Sequence, residues 1–137
     1  FEGSSCLSRE RYDYMFQKRL LDEHYRTYGG SYGWVLAGLC ASRKLMRKEN
    51  LAKIKTPVLL FAAGHDHMVD NDAIERFAEL TNRTELFFMP DSRHEIFNAD
   101  ERTRTKYYDE IFRFIKEEEV KDYENENEQT RKILGTV

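Results

Sequence analysis

Two short polar stretches carry side chains suited to proton transfer: Gly64-His65-Asp66-His67-Met68-Val69-Asp70 and Asp91-Ser92-Arg93-His94-Glu95-Ile96-Phe97. Within them Asp66 and His94 lie 28 positions apart. An ionised aspartate that accepts the Nδ1 hydrogen of an imidazole fixes its tautomer, so Nε2 can take a proton from a nucleophile and later return it to a leaving group. Asp66 and His94 are the predicted pair. The other candidates have simpler roles. His65, Asp66, His67 and Asp70 are residue types found in metal sites, but a His-x-His pair in a polar loop without a third and fourth ligand reads as solvent-exposed. No metal and no cofactor is expected. Asp70 precedes Asn71-Asp72-Ala73-Ile74 and reads as a helix N-cap; Glu95 reads as a loop contact beside His94, not a second acid.

A nucleophile is harder to find. Gly29-Gly30-Ser31-Tyr32-Gly33 matches Gly-x-Ser-x-Gly, and the chain order Ser, Asp, His suits it. That motif works when a strand drives the serine into a strained turn above a sheet, and residues 22–28, with Asp22, Glu23, His24 and Arg26, are a poor buried strand. Ser31 is therefore read as part of a Gly-rich link.

For Asp66 and His94 to meet, their stretches must leave the same edge of a sheet. Val58 to Ala63 is a continuous apolar run, opened by Pro57 and closed by Gly64, which is the pattern of a parallel strand covered on both faces. Thr84 to Met89, stopped by Pro90, is a second strand. Between them Ile74, Phe77, Ala78 and Leu80 share one face of a helix that Thr81-Asn82 ends. Parallel neighbours run about 4.8 Å apart, so the loops beyond their carboxyl ends share one edge. Upstream, Ser8 caps a helix to about Glu23 with Tyr12, Met15, Phe16 and Leu20 at helical spacing, and Trp34, Val35, Leu39 and Leu45 recur in a second helix to about Lys48. Asn50 to Lys55 is a short connection in which Leu51 and Ile54 anchor to the core. Thr103 to Glu118 is a helix with Tyr107, Tyr108, Ile111, Phe112, Phe114 and Ile115 on its buried side. From Glu117 onward the sequence is polar and reads as a solvated helix extension or a disordered tail, with Ile133 and Leu134 docking at its end. Two strands cannot make a doubly covered sheet. The fold class is thus α/β, with either self-association or further strands required.

The bulk properties narrow the function. In 137 residues, 34% are charged and the net charge is only −3, so there is no basic stripe for nucleic acid. The longest apolar run, Val58 to Ala63, is far short of the roughly 20 residues that span a bilayer, and no signal-peptide pattern opens the chain. Cys6 and Cys40 have no metal spacing; their pairing is left open, and their usage points weakly to a reducing compartment. A cytoplasmic or peripheral-membrane setting is expected over a secreted one.

The stretch from Ile54 through Val58-Leu59-Leu60-Phe61-Ala62-Ala63-Gly64-His65-Asp66 to Asn71, with Arg93-His94-Glu95-Ile96 after the next strand, resembles the C-terminal part of lysophospholipase L2-like and monoglyceride-lipase-like serine hydrolases. The resemblance covers about Ser8 to Lys116. It implies an α/β-hydrolase fold in which Asp66 is the triad acid and His94 the base, and in which the helix at Tyr32-Gly33-Trp34 belongs to a cap over the acyl pocket. The substrate implied is a lipid ester, with peripheral membrane contact allowed. Tyr12, Tyr14, Phe16, Tyr32 and Trp34 are candidates to line that pocket, although helical packing explains their spacing as simply. The family's serine lies upstream of its cap, so this chain is expected to be a C-terminal fragment, inactive alone: residues 1–50 the cap, 51–118 a β-α-β-α part of the core and 119–137 a polar extension. At roughly 30 residues per β-α step, the absent strands amount to about 150 to 180 residues. The rivals are peptide or other ester cleavage on the same fold, and a non-catalytic interaction domain that lacks the nucleophile.

Overall fold

The computed structural model of the protein describes residues 1–134, apart from the side chains at 129–131, 133 and 134. The elements in chain order are α1 (Arg9–Leu21), α2 (Tyr32–Leu45), α3 (Lys48–Leu51), β1 (Val58–Ala63), α4 (Asn71–Glu79), β2 (Thr84–Met89) and α5 (Glu101–Leu134), with single 3₁₀ turns at Glu23–Tyr25 and Ile96–Asn98. The architecture is mixed α/β, built on a two-stranded parallel sheet. Both strands have the bounds that the apolar runs predict. Pairing is in register from Val58 opposite Thr84 to Ala63 opposite Met89. The two strands therefore end level, which puts residues 64–70 and 90–99 at one sheet edge.

Local chemistry explains where the elements start and stop. Ser8 accepts from the Arg11 amide to cap α1, Ser31 from the Trp34 amide to cap α2, and Asp70 from the Asp72 amide to cap α4. Before β2, the Thr81 hydroxyl donates to the Phe77 carbonyl and lies 2.6 Å from the Thr84 hydroxyl, and the Val58 amide donates to the Arg83 carbonyl. Ala63, Met89 and Ile96 form the buried core, with Phe61, Phe87 and Tyr107 packed around it. Side chains alternate faces along a strand, so Phe61 and Ala63, with their register partners Phe87 and Met89, present one face, where Tyr107 of α5 meets Phe61 at 4.6 Å between ring centroids.

Several packing expectations are corrected. The Val58 to Ala63 strand was expected to be covered on both faces, yet only Ala62 and Ala63 are buried and Val58 to Phe61 are half-buried, because each strand has a single β neighbour. On α5 only Tyr107, Ile111 and Phe114 of the predicted side are half-buried; Tyr108, Phe112 and Ile115 are exposed. At about 100° per residue these three lie on an adjacent face that nothing covers. Leu80, predicted in the α4 stripe, is exposed as well. The second helix stops at Leu45, where the Asn50 side chain donates to the Lys44 carbonyl, and α3 starts at Lys48 and ends at Leu51, inside what reads as a connection, with Leu51 buried and Ile54 half-buried.

The polar C-terminal stretch is helical through Leu134. Pairs such as Lys121 with Glu118 and Arg113 with Glu117, three or four residues apart on one helix face, support it. The expected docking of Ile133 and Leu134 concerns side chains outside the described set. Cys6 is buried and Cys40 exposed, and both are free thiols. Among the described residues no helix is long and apolar enough to cross a membrane.

Candidate active site

Beyond the strand ends the ladder continues as loop-to-loop bonding. The Gly64 amide donates to the Met89 carbonyl at 2.9 Å, and the His65 amide to the Ser92 carbonyl at 2.9 Å. Such closeness requires glycine: a Cβ on Gly64 would sit 2.2 Å from the Pro90 oxygen and 2.8 Å from its carbonyl carbon. Gly64 therefore sets how near the two loops approach.

The first loop then folds back around Asp66. Its amide donates to the Ala63 carbonyl, and its Oδ1 accepts from the amides of Met68 at 2.8 Å and Val69 at 3.1 Å. This is an Asx-type turn, in which a short carboxylate substitutes for a backbone acceptor. With Oδ1 committed, Oδ2 faces the second loop, 2.9 Å from His94 Nδ1. The Asp66 side chain is 4% exposed and that of His94 38%. Burial alone would raise the Asp66 carboxyl, but the Met68 amide, the His94 ring and the Val69 amide together outweigh it and hold it below the usual carboxylate range. A buried carboxylate kept ionised beside Nδ1 favours the tautomer that leaves Nε2 as the acceptor, and among the described residues Nε2 has no hydrogen-bond partner.

The second loop is pinned from below. Ile96 inserts into the core beside Ala63 and Met89, Ser92 is fully buried with its hydroxyl donating to the Arg93 carbonyl, and the Ile96 amide donates to the His94 carbonyl. The structure thus joins Asp66 to His94 and leaves the remaining candidates apart from that contact. Asp70 is the cap of α4, and Glu95 accepts from the Asn98 side chain at 2.8 Å. His65 and His67 are exposed, and no group of three or more potential ligands suited to a metal occurs among the described residues. Ser31 caps α2, residues 26–30 leading to it form no strand, and Gly29 takes φ +96°. Tyr12 stacks on Phe16 within α1, while Tyr14, Tyr32 and Trp34 are mostly exposed.

A family model described as "Serine aminopeptidase, S33" matches residues 5–101. The chain belongs to this α/β-hydrolase family. The match includes α1, α2, both strands and both loops, and ends where α5 begins. No curated protein and no solved structure matches the chain. The sheet is accordingly part of an α/β-hydrolase fold, and Asp66 and His94 sit at the carboxyl ends of neighbouring parallel strands, where open α/β sheets bind their ligands. The reading from residue types did not find Arg93, Asn98 and the segment before α1 that hold the second loop, nor the tight approach at Gly64. A glycine directly after an apolar strand was the one visible signal, and it was read only as a strand end.

Proposed function

We propose that this chain supplies the acid and the base of a serine hydrolase, with Asp66 orienting His94 and His94 moving the proton for a serine contributed by sequence outside the chain. One observation carries the reading: His94 Nδ1 lies 2.9 Å from a carboxylate whose other oxygen is already held by two amides, while Nε2 has no partner among the described residues. The serine Oγ attacks the acyl carbonyl as His94 Nε2 takes its proton. The tetrahedral intermediate collapses as that proton passes to the departing oxygen, and water repeats the sequence to free the acyl group. Asp66 stays ionised throughout and stabilises the imidazolium. In this reading residues 1–50 form the cap, 51–118 the C-terminal part of the core and 119–137 a polar extension.

The substrate class we favour is a lipid ester of the lysophospholipid or monoacylglycerol type. Support comes from the resemblance of the two loops to such hydrolases and from the apolar, exposed set Tyr14, Trp34, Leu36 and Leu39 on α1 and α2. A second reading, peptide cleavage, follows from the family's description. In the hydrolase that contains this chain, a fluorophosphonate probe should label a serine outside residues 1–137, with labelling lost in His94→Ala. Absence of labelling would favour a non-catalytic domain. Labelling of Ser31 in this chain alone, abolished by Ser31→Ala, would overturn the assignment of the nucleophile. Monoacylglycerols and lysophospholipids against aminoacyl amides then separate the two substrate classes.

A further inference from the structure

His94 lies between two residues that are both fastened to the segment preceding α1. The Arg93 guanidinium donates through one nitrogen, Nη1, to the carbonyls of Phe1 at 3.2 Å, Ser4 at 3.1 Å and Cys6 at 3.3 Å. The Glu95 amide donates to the Ser5 carbonyl at 3.0 Å. Further along, the Asn98 carbonyl accepts from the Ser8 amide at 3.3 Å and from the Cys6 thiol at 2.9 Å, and the Asn98 side chain accepts from Arg11 Nε. Among the described residues Arg93 has no carboxylate partner. Its Nη1 hydrogens are shared among three main-chain oxygens, so its charge holds a curl of backbone and the adjoining loop as one unit.

Resting on the catalytic reading above, we infer that Arg93 is a positioning residue for His94, coupling the segment that leads into α1 to the placement of the imidazole. The first half of the loop is fixed by its bonds to the β1 end, at Gly64 and His65. The half that carries His94 relies on Ile96 in the core and on this curl. A guanidinium suits the task because it stays charged and is planar, so the hydrogens on Nη1 point in fixed directions; a lysine offers the charge on a freely rotating ammonium. Because Ser8 caps α1 and also donates its amide to Asn98, a shift of α1 reaches His94 through at most a few bonds.

The test reads the imidazole itself. In the full chain, the ring nitrogens of His94, followed by long-range proton–nitrogen correlation, should report the Nδ1-H tautomer. Arg93→Gln should redistribute it towards a mixture with β1 and β2 amide signals unmoved, and Arg93→Lys should fall between. In the complete hydrolase, Arg93→Gln should lower kcat about ten- to a hundredfold with KM nearly constant, as a displacement near 1 Å would. Should Arg93→Gln not fold, Arg93→Lys gives the same reading at smaller amplitude. An unchanged tautomer and unchanged kcat in a folded variant would overturn the inference. Failure of the catalytic reading is a different result: a hydrolase in which His94→Ala costs nothing, whatever Arg93 does to the tautomer.

Discussion

The strand-end region and α2 differ in what fixes them. At the strand ends, residues 63–70 and 89–98 are joined by a parallel ladder, four bonds between or within loops at Gly64, His65, Asp66 and Ser92, and a buried plug at Ile96. In contrast, α2 has no buried residue: Tyr32, Trp34, Leu36 and Leu39 are all exposed. Both regions are well-formed locally, since Ser31 caps α2 as properly as Asp70 caps α4. Local signals build a helix wherever they occur, but a site needs groups from distant sequence held at fixed distance. Only the strand ends provide that.

The sharpest way to break the contrast is Asp66→Asn. An amide oxygen can still accept from Met68 and Val69, so the turn should persist, while the loss of charge and the donor now facing Nδ1 favour the wrong tautomer. Hydrolysis by the complete enzyme should fall by about 10⁴-fold with the fold intact by circular dichroism. Next comes Gly64→Ala, whose Cβ meets backbone atoms of Pro90 that cannot swing aside. It should cost about 3 kcal/mol in urea unfolding and loosen His94 in the ring-nitrogen spectrum. Ser31→Ala, in the other region, removes one cap bond and should cost about 1 kcal/mol of local helix stability, read as faster amide exchange in the first turn of α2, with the Asp66–His94 contact and probe labelling unaffected.

The smallest effect is one of pH. Because the Asp66 carboxyl is held below the usual range, its contribution to stability is complete above the unfolded value of about 3.9 and is lost as pH falls through the lower folded value. The stability difference between the parent and Asp66→Asn should therefore shrink as pH falls below about 3.9. A difference that instead grew as pH fell would contradict the ionised state assigned to Asp66.

Much of the site was legible because it depends on patterns of short range. Pro57, the apolar run and Gly64 delimit β1, Pro90 ends β2, and a parallel pair of equal length brings Asp66 and His94 to one edge. The caps Ser8 and Asp70 were legible for the same reason, as one side chain serves an amide two or three residues on; Ser31, read as part of a Gly-rich link, turned out to cap α2 in the same way. The grip of Arg93 on Phe1, Ser4 and Cys6 was not, since it spans about 90 positions and uses backbone oxygens, which every residue has. Nor was the partial cover of Val58 to Phe61, Phe112 and Ile115: hydrophobicity states what a side chain would bury, not whether a neighbour is there to bury it.

By itself the sequence determined the two strands, the main helices, their order and the two residues, Asp66 and His94, that meet at the strand ends, because propensity, capping and alternation act over a few residues. Tertiary structure decided the distances: the approach at Gly64 that leaves no room for a Cβ, the carboxylate whose Oδ1 is taken by amides so that Oδ2 meets His94, and the curl of residues 1–6 that steadies the imidazole. These rest on contacts between segments whose separation in the chain no local pattern encodes.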